Sequence, residues 1–335
     1  MRWPRPSGNR HNQLTLPGER VFDQSATEAD IRACFRLLLG RHPNKEEWIG
    51  HTMSVGQDLA GVVASYLNSL EFTRRSLIGN SSLGDVTLAQ VPGFRIYSAR
   101  DDAAVGRYVR DSNYELDVTA VFRSVLKEGM QVIDIGANIG YFTLLSAALV
   151  RPAGHVLAIE PNPRNARLIE ASRRENGFEN ITICQTAAGR GTGTLVLNTS
   201  HSNGTTSDLP RDLEAMLAAE SVPCLAVDTI VPEAAMIDLI KVDVEGAEYN
   251  ALLGASKTIN RCRPIIVSEL SPAMMPGISG IEGTEYLMWI VAFGYKIAVI
   301  EPDGSIGPPT QDIGNILSVY EARGTDHIDV IALPH

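Results

Sequence analysis

The stretch Val132-Ile-Asp-Ile-Gly-Ala-Asn-Ile-Gly140, followed twenty residues later by Glu160, decides the fold. Its apolar start predicts a buried strand, and Gly136 and Gly140 allow a tight turn before an apolar helical pattern. A second apolar run at 156–159 predicts the next strand, which Glu160 ends. Strand, glycine turn, helix and a second strand ending in an acid form the first unit of a doubly wound nucleotide-binding sheet. The acid is placed to accept hydrogen bonds from ribose hydroxyls.

The glycine turn differs from turns that hold a pyrophosphate. A dinucleotide fingerprint requires glycine at its first, third and sixth positions, which here are Gly136, Asn138 and Tyr141. The two side chains disfavour NAD or FAD, and no Gly-Lys-Ser/Thr follows to indicate a P-loop. The pattern Asp134-x-Gly-x-Asn-x-Gly140, with Glu160 after the next strand, resembles the S-adenosylmethionine site of a class I methyltransferase. This cofactor needs a ribose-binding acid and a tight turn but no phosphate cradle.

The composition is that of a globular protein. Its 335 residues are 44% hydrophobic and 20% charged, and the net charge of −10 disfavours a nucleic-acid-binding surface. The four cysteines form no Cys-x-x-Cys pair, so we expect reduced thiols, no zinc site and a cytoplasmic location. No apolar run reaches the roughly 18 residues of a membrane span. We therefore expect a cytoplasmic protein without a membrane-spanning segment.

Four parts are predicted along the chain. They are a disordered arm, a small all-α domain, a linker with a short β extension, and an α/β domain, at 1–22, 23–80, 81–112 and 113–335. Ser25 or Thr27 is predicted to cap the first helix and Gly40 to end it. Segments 35–43 and 66–72 resemble a small helical domain that occurs in bacteria beside glycan-processing and secreted-repeat proteins. This resemblance implies association with glycan-assembly enzymes or with a second copy of the chain; a helical lid without a binding role is the alternative.

The α/β domain is predicted to contain one seven-stranded sheet. Helices predicted between most strands favour parallel strands with right-handed crossovers. The strands are expected at 132–135, 156–159, 181–185, 237–242, 265–269, 296–300 and 328–333. Ligands bind at the carboxyl ends of strands in such sheets, so Asp134, Glu160, Asp243 and Glu269 should rim one crevice. Segment 189–224 is too polar for one packed element, and loops of that length are usually functional or disordered.

Six segments carry a resemblance to a known family over residues 90–335. They are Ser112–Glu115, Val132–Thr143, Ile159–Pro163, Asp238–Gly246, Arg263–Glu269 and Gly294–Tyr295. In this combination they are similar to the FkbM family of S-adenosylmethionine-dependent methyltransferases. The resemblance implies methyl transfer to a hydroxyl oxygen of a sugar, a glycan or a polyketide-like metabolite, with N-methylation as an alternative. The run His201-Ser-Asn-Gly-Thr-Thr206 departs from the richer Gly/Ser run of such proteins.

A hydroxyl acceptor requires a base, and strand-end acids are the candidates. Asp243 is the first candidate, with Glu269 and His201 as alternates; a structural ion pair of Asp243 with Lys241 is the competing interpretation. Asp243 and Glu269 also suit Mg²⁺, so a divalent metal is an alternative that we do not favour, and no metal ligand is assigned. The residues expected to hold the cofactor are Tyr114, Glu115, Asp134, Gly136, Asn138, Gly140, Glu160, Ala187 and Asp243.

Two other classes of protein remain open at this point. A nicotinamide oxidoreductase would share the sheet, but Asn138 and Tyr141 disfavour its cofactor. A non-catalytic binding module would keep the fold, which the intact glycine turn and the clustered carboxylates oppose. The expected partner of a methyltransferase is a glycan or small-molecule acceptor, and no nucleic acid is expected.

Overall fold

The computed structural model describes residues 24–75, 86–200 and 202–335, with two paired short strands, β1 (Thr15–Leu16) and β2 (Arg20–Val21). The chain divides into two compact units, Met1–Gly84 and Asp85–His335. Apart from β1 and β2, the predicted arm at 1–22 lies outside the described residues. So do residues 76–80 of the predicted helical domain, residues 81–85 of the predicted linker and the candidate base His201.

The first unit is mainly helical over residues 24–75. Its helices are α1 (Glu28–Leu38), α2 (Lys45–His51), α3 (Leu59–Leu67) and α4 (Leu70–Arg75), with a 3-10 turn at Thr52–Ser54. Thr27 caps α1 in a reciprocal capping box with Asp30, and Gly40 follows the helix in the left-handed conformation. Phe35 and Tyr66 pack edge to face in the small apolar core. These residues build an amphipathic bundle with its own core.

The second unit contains the remaining strands and helices. Its strands are β3 (Val86–Val91), β4 (Phe94–Ala99), β5 (Gln131–Ile135), β6 (His155–Ile159), β7 (Ile181–Cys184), β8 (Ala187–Ala188), β9 (Gly193–Ser200), β10 (Asn203–Ser207), β11 (Ser221–Leu225), β12 (Leu239–Val242), β13 (Ile265–Leu270), β14 (Tyr295–Val299) and β15 (Ile328–Pro334). Its helices are α5 (Gly106–Arg110), α6 (Leu116–Val125), α7 (Tyr141–Val150), α8 (Pro163–Asn176), α9 (Leu213–Ala218), α10 (Val227–Ile230), α11 (Glu248–Leu253), α12 (Ser256–Cys262), α13 (Met275–Ile278), α14 (Gly283–Ala292) and α15 (Ile313–Arg323).

The central sheet has seven strands in the order β14-β15-β13-β12-β5-β6-β7. All seven predicted strands are present, and β5, β6, β7, β12 and β13 run parallel. The prediction of a wholly parallel sheet is wrong, because β15 runs antiparallel to both β13 and β14. A pattern of apolar residues reports burial and not strand direction. The consequence is that the start of β15 lies at the same edge as the carboxyl ends of the parallel strands.

Segment 189–224 is also more ordered than its polarity indicated. It contributes to a second sheet, of order β10-β9-β11-β8, in place of one long loop. Leu197, Val222 and Cys224 are buried against Ala187, while threonines and asparagines occupy the outer positions. Thr is favoured on a half-exposed strand, which explains how so polar a segment forms one.

The hairpin β3–β4 packs on α8, although its residues fell within the predicted linker of 81–112. The backbone N–H of Tyr97 donates to Ser172 Oγ at 2.9 Å, and that of Arg95 donates to Asn176 Oδ1 at 2.8 Å. An ion pair of Arg95 with Glu175 at 2.7 Å adds to this contact. The hairpin therefore belongs to the same compact unit as the sheet, Asp85–His335.

The turn between β5 and α7 lies directly against the end of β12. Gly136 has φ 78°, and a Cβ placed on it would lie 1.8 Å from the carbonyl oxygen of Asp243. Gly140 has φ 95°, and its Cβ would lie 2.9 Å from Ile169 Cγ1. Contacts within the protein, besides any contact with a ligand, therefore require both glycines of the motif.

We expect Gly136→Ala to destabilise the protein more than a matched glycine substitution does. Gly177 also has positive φ (65°), but no atom lies within 4 Å of the Cβ that alanine would add there. Gly177→Ala should therefore lower the free energy of unfolding by only the backbone cost, about 1–2 kcal/mol. Overlap with Asp243 should add about 1–3 kcal/mol for Gly136→Ala. Urea denaturation measures both, and equal losses would contradict the role of this contact.

Candidate functional site

A crevice of about 410 Å³ opens at the carboxyl ends of the parallel strands. It contains eight of the predicted site residues: Tyr114, Glu115, Gly136, Asn138, Glu160, Ala187, Asp243 and Glu269. The start of β15 adds Asp326, His327 and Asp329, because Glu269 pairs with Asp329 in the antiparallel register. These three residues were not predicted, since a parallel β15 would have placed them at the opposite edge of the sheet.

Two other predicted site residues lie outside this crevice. Asp134 is 1% exposed and accepts a hydrogen bond from Thr143 Oγ1 at 2.6 Å, so it ties β5 to α7. Its second oxygen, Oδ1, has no hydrogen-bond partner among the described residues, and burial raises its pKa. Asp134 lines a smaller adjoining pocket beside Lys241 and Asp243. Gly140 is the N-cap of α7, and its backbone N–H donates to the Ala137 carbonyl within the turn at 2.8 Å.

Glu160 is held rigidly at the floor of the crevice. Its Oε2 accepts from the backbone N–H of Asn138 and its Oε1 from that of Asn162, each at 2.8 Å. Burial raises the pKa of Glu160 to about 8, and these two bonds oppose the rise. Each carboxylate oxygen has a second lone pair, so Glu160 retains the capacity to accept from two neighbouring hydroxyls.

Lys241 and Asp243 form an ion pair beneath the crevice. Lys241 Nζ lies 2.8 Å from Asp243 Oδ2, and the two side chains are 6% and 22% exposed. Burial acts to lower the pKa of Lys241, but Asp243, Glu115 and Asp134 together raise it. The ammonium also lies 4.8 Å from the centre of the Phe142 ring. Because the ion pair holds the Asp243 carboxylate in place, the geometry favours a positioning role for Asp243.

Carboxylates dominate the lining of the crevice. The described lining contains no lysine or arginine. It contains seven carboxylates: Glu115, Glu160, Asp243, Glu245, Glu269, Asp326 and Asp329. Burial raises the pKa of Glu115 and Asp329 to about 7 and that of Glu269 to about 10, and repulsion from neighbouring acids adds to each rise. Such a site opposes a pyrophosphate and complements a ligand that carries positive charge.

The turn of the β9–β10 hairpin forms one wall of the crevice. Asn138 Nδ2 donates to Asn203 Oδ1 at 2.9 Å, and Asn203 Nδ2 donates to Glu245 Oε1 at 3.2 Å. Asn138 and Glu245 both have left-handed backbone, with φ 51° and 54°. Asn203 therefore links the glycine turn to the loop after β12. The sequence marked run 201–206 as unusual but gave no signal for this link.

The residues present fit S-adenosylmethionine. The crevice provides an anchored ribose acid at Glu160, a glycine turn without a phosphate cradle, and carboxylates for the positive charges of a sulfonium and an ammonium. The orphaned Asp134 Oδ1 is a further acceptor beside this site. Among the described residues, no group of three or more His, Cys, Asp or Glu side chains is arranged to hold a metal ion. No helix in the described ranges is long and apolar enough to cross a bilayer.

The strand order places the α/β unit in a known fold class. Six strands that run in one direction, with the antiparallel β15 inserted between β13 and β14, make the seven-stranded sheet of a class I methyltransferase. Residues 134–297 match the model of the methyltransferase FkbM domain. The α/β unit of this chain belongs to the FkbM methyltransferase family.

Individual proteins resemble parts of the chain. A stretch of 49 residues is 43% identical to the protein-L-isoaspartate O-methyltransferase of Methanothrix thermoacetophila, which is 15% of this chain and 22% of that protein. The crystal structure of an FkbM methyltransferase from Methylobacillus flagellatus aligns with a TM-score of 0.40 at 17% identity, over 90% of this chain and 60% of that one. Fibrillarin of Aeropyrum pernix, with natively bound S-adenosyl-L-methionine, aligns with a TM-score of 0.40 at 13% identity, over 74% and 99%.

We expect Asp243→Asn to destabilise the protein, because it leaves the Lys241 ammonium buried without its closest partner. Loss of one member of a buried pair costs on the order of 3 kcal/mol. Asp101→Asn is the matched control, since that carboxylate is 83% exposed and lies 3.8 Å from Arg164; it should change the free energy of unfolding by less than about 0.5 kcal/mol. Denaturant unfolding at pH 7 checks both. An Asp243→Asn protein as stable as the control would contradict the buried pair.

Proposed function

We propose that the protein transfers a methyl group from S-adenosylmethionine to a hydroxyl oxygen of a sugar, a glycan or a polyketide-like metabolite. The single observation that supports it best is Glu160, fixed by two backbone hydrogen bonds within an acidic crevice. When bound, the cofactor supplies a methyl group activated by a positively charged sulfur. A nicotinamide dinucleotide fits this crevice poorly because its phosphates would face the carboxylates.

The residues of the crevice divide between two tasks. Glu160 accepts hydrogen bonds from the ribose, and Ala187 contacts the adenine through its backbone. Tyr114, Glu115 and Asn138 line the space for the methionine end, where Glu115 opposes its ammonium. The Lys241–Asp243 pair fixes the floor between the cofactor and the acceptor. Alignment of the acceptor oxygen and exclusion of water then account for much of the rate enhancement.

The acceptor is expected to enter beside the start of β15. Polyhydroxyl compounds suit this end, since Glu245, Glu269 and Asp329 offer hydrogen-bond acceptors. Glu245 and Asp329 would also hold an ammonium, which favours N-methylation of an amine as the second candidate reaction. The net charge of −10 supports a glycan or small-molecule acceptor over a nucleic acid. The four free cysteines support a location in the cytoplasm. The helical unit would place the enzyme beside glycan-assembly partners.

Glu160→Gln is expected to weaken binding of S-adenosylhomocysteine by roughly 5- to 150-fold, or about 1–3 kcal/mol. The amide keeps the shape but replaces one charged acceptor by a donor. Calorimetry at pH 8.5, above the pKa of about 8, measures the affinity with the wild-type carboxyl ionised. Glu175→Gln is the control, because Glu175 lies near the end of α8, pairs with Arg95 and does not line the crevice; this variant should bind within twofold of wild type. Unchanged affinity in a folded Glu160→Gln protein would remove Glu160 from the cofactor site.

Turnover with labelled S-adenosylmethionine against a panel of acceptors tests the proposed reaction. The panel should contain neutral glycans, polyketide-like alcohols and, as a separate arm, amines. We expect an O-methylated product, identified by mass spectrometry. An N-methylated product would establish the second candidate. Tight S-adenosylhomocysteine binding with no methylated product from any acceptor would favour a non-catalytic binding module.

A further inference from the structure

His327 lines the crevice at the end where the acceptor is proposed to bind. It immediately precedes β15, and the pairs Leu270 with Ile328 and Glu269 with Asp329 place it beside the carboxyl end of β13. The cofactor side of the crevice, around Glu160, is four strands away in the order β15-β13-β12-β5-β6. Since neighbouring strands are separated by about 4.8 Å, this distance is roughly 19 Å along the sheet edge. His327 thus lies where an acceptor, and not the nucleoside, would bind.

The carboxylates of the crevice are poorly suited to take a proton from a hydroxyl. Asp243 is paired with Lys241 at 2.8 Å. Glu269 accepts a hydrogen bond from Ser271, and burial raises its pKa to about 10, so it is protonated at neutral pH. A carboxylate becomes neutral when it takes a proton, whereas an imidazole becomes a cation. Neighbouring acids attract such a cation.

The groups that face His327 come from three elements. Asp326 is its neighbour in the chain, Glu245 lies in the loop after β12, and Asp329 lies in β15. His327 Nδ1 lies 2.9 Å from Asp326 Oδ1. In the neutral ring, this contact favours the tautomer with its proton on Nδ1. The lone pair on Nε2 is then available, as in other histidines oriented by a carboxylate.

We propose that His327 is the general base for the acceptor hydroxyl and that Asp326 is its positioning residue; this inference rests on the proposed methyl transfer. Nε2 takes the hydroxyl proton while the acceptor oxygen forms a bond to the methyl carbon. The electron pair of the breaking carbon–sulfur bond remains on sulfur, which becomes a neutral thioether. The imidazolium then releases its proton to water, so no oxidant or metal ion is needed.

The kinetic test compares His327→Gln with His155→Gln, using an acceptor that the panel identifies. His155 starts β6 at the opposite edge of the sheet, where it contacts Thr182 Oγ1 at 2.9 Å, and its substitution should leave turnover unchanged. His327→Gln should lower kcat roughly 10²- to 10⁴-fold. S-adenosylhomocysteine affinity should stay within twofold of wild type. The decrease in kcat/KM on acidification that protonation of a general base produces should disappear.

A second readout does not depend on turnover. Nitrogen-15 spectra of histidine-labelled full-length protein, assigned with His327→Gln, report which ring nitrogen carries the proton. We expect Nδ1 to be protonated in neutral His327 of the wild type, and the population to shift towards the Nε2-protonated form in Asp326→Asn. That variant should retain more activity than His327→Gln, because it keeps the base and loses its orientation.

Three results separate this inference from the proposed function. Wild-type turnover in His327→Gln would overturn the inference and leave methyl transfer intact. A proton on Nε2 of neutral wild-type His327 would also overturn it, since no lone pair would face the acceptor. Absence of turnover by the wild type with every acceptor would instead contradict the proposed function, and the base with it.

Discussion

The close approach of the Gly136 backbone to the Asp243 carbonyl is the constraint on which the site depends. It joins the turn after β5 to the end of β12, with 1.8 Å between the carbonyl oxygen and the place where a Cβ would stand. The turn orients the Asn138 N–H towards Glu160, and the end of β12 carries Asp243 and Glu245. One backbone contact therefore sets the spacing between Glu160 and the acids that follow β12.

The charge of the crevice determines which ligands it can accept. Seven acidic side chains surround a space whose described lining holds no lysine or arginine, and burial, to which repulsion from neighbouring acids adds, raises the pKa of several of them. Binding a cation relieves this repulsion, whereas binding a phosphate increases it. A ligand with a sulfonium and an ammonium is therefore favoured. The buried Lys241 neutralises part of this negative charge through its ion pair with Asp243, which it also holds in place.

The sequence was sufficient to predict the parts of the site that lie near one another in the chain. The glycine turn and Glu160 are separated by one helix and one strand, and local apolar periodicity predicts both. Asp326, His327 and Asp329 were missed because their position depends on the direction of β15. The apolar pattern of residues 328–333 does not reveal that direction, and the sequence pattern did not predict α15, the helix that precedes the strand. Asn203 was missed for a related reason, since its two partners lie 65 and 42 residues away.

Equilibrium binding to the full-length protein tests the central claim, that an acidic crevice with Glu160 at its floor selects a cationic nucleoside over a dinucleotide. The most direct measurement is a pair of calorimetric titrations, with S-adenosylmethionine and with NAD, at low and at moderate salt. We predict saturable binding of S-adenosylmethionine and no detectable binding of NAD, with the discrimination largest at low salt because the carboxylates are then least screened. Binding of NAD with equal or higher affinity would contradict this account of the site.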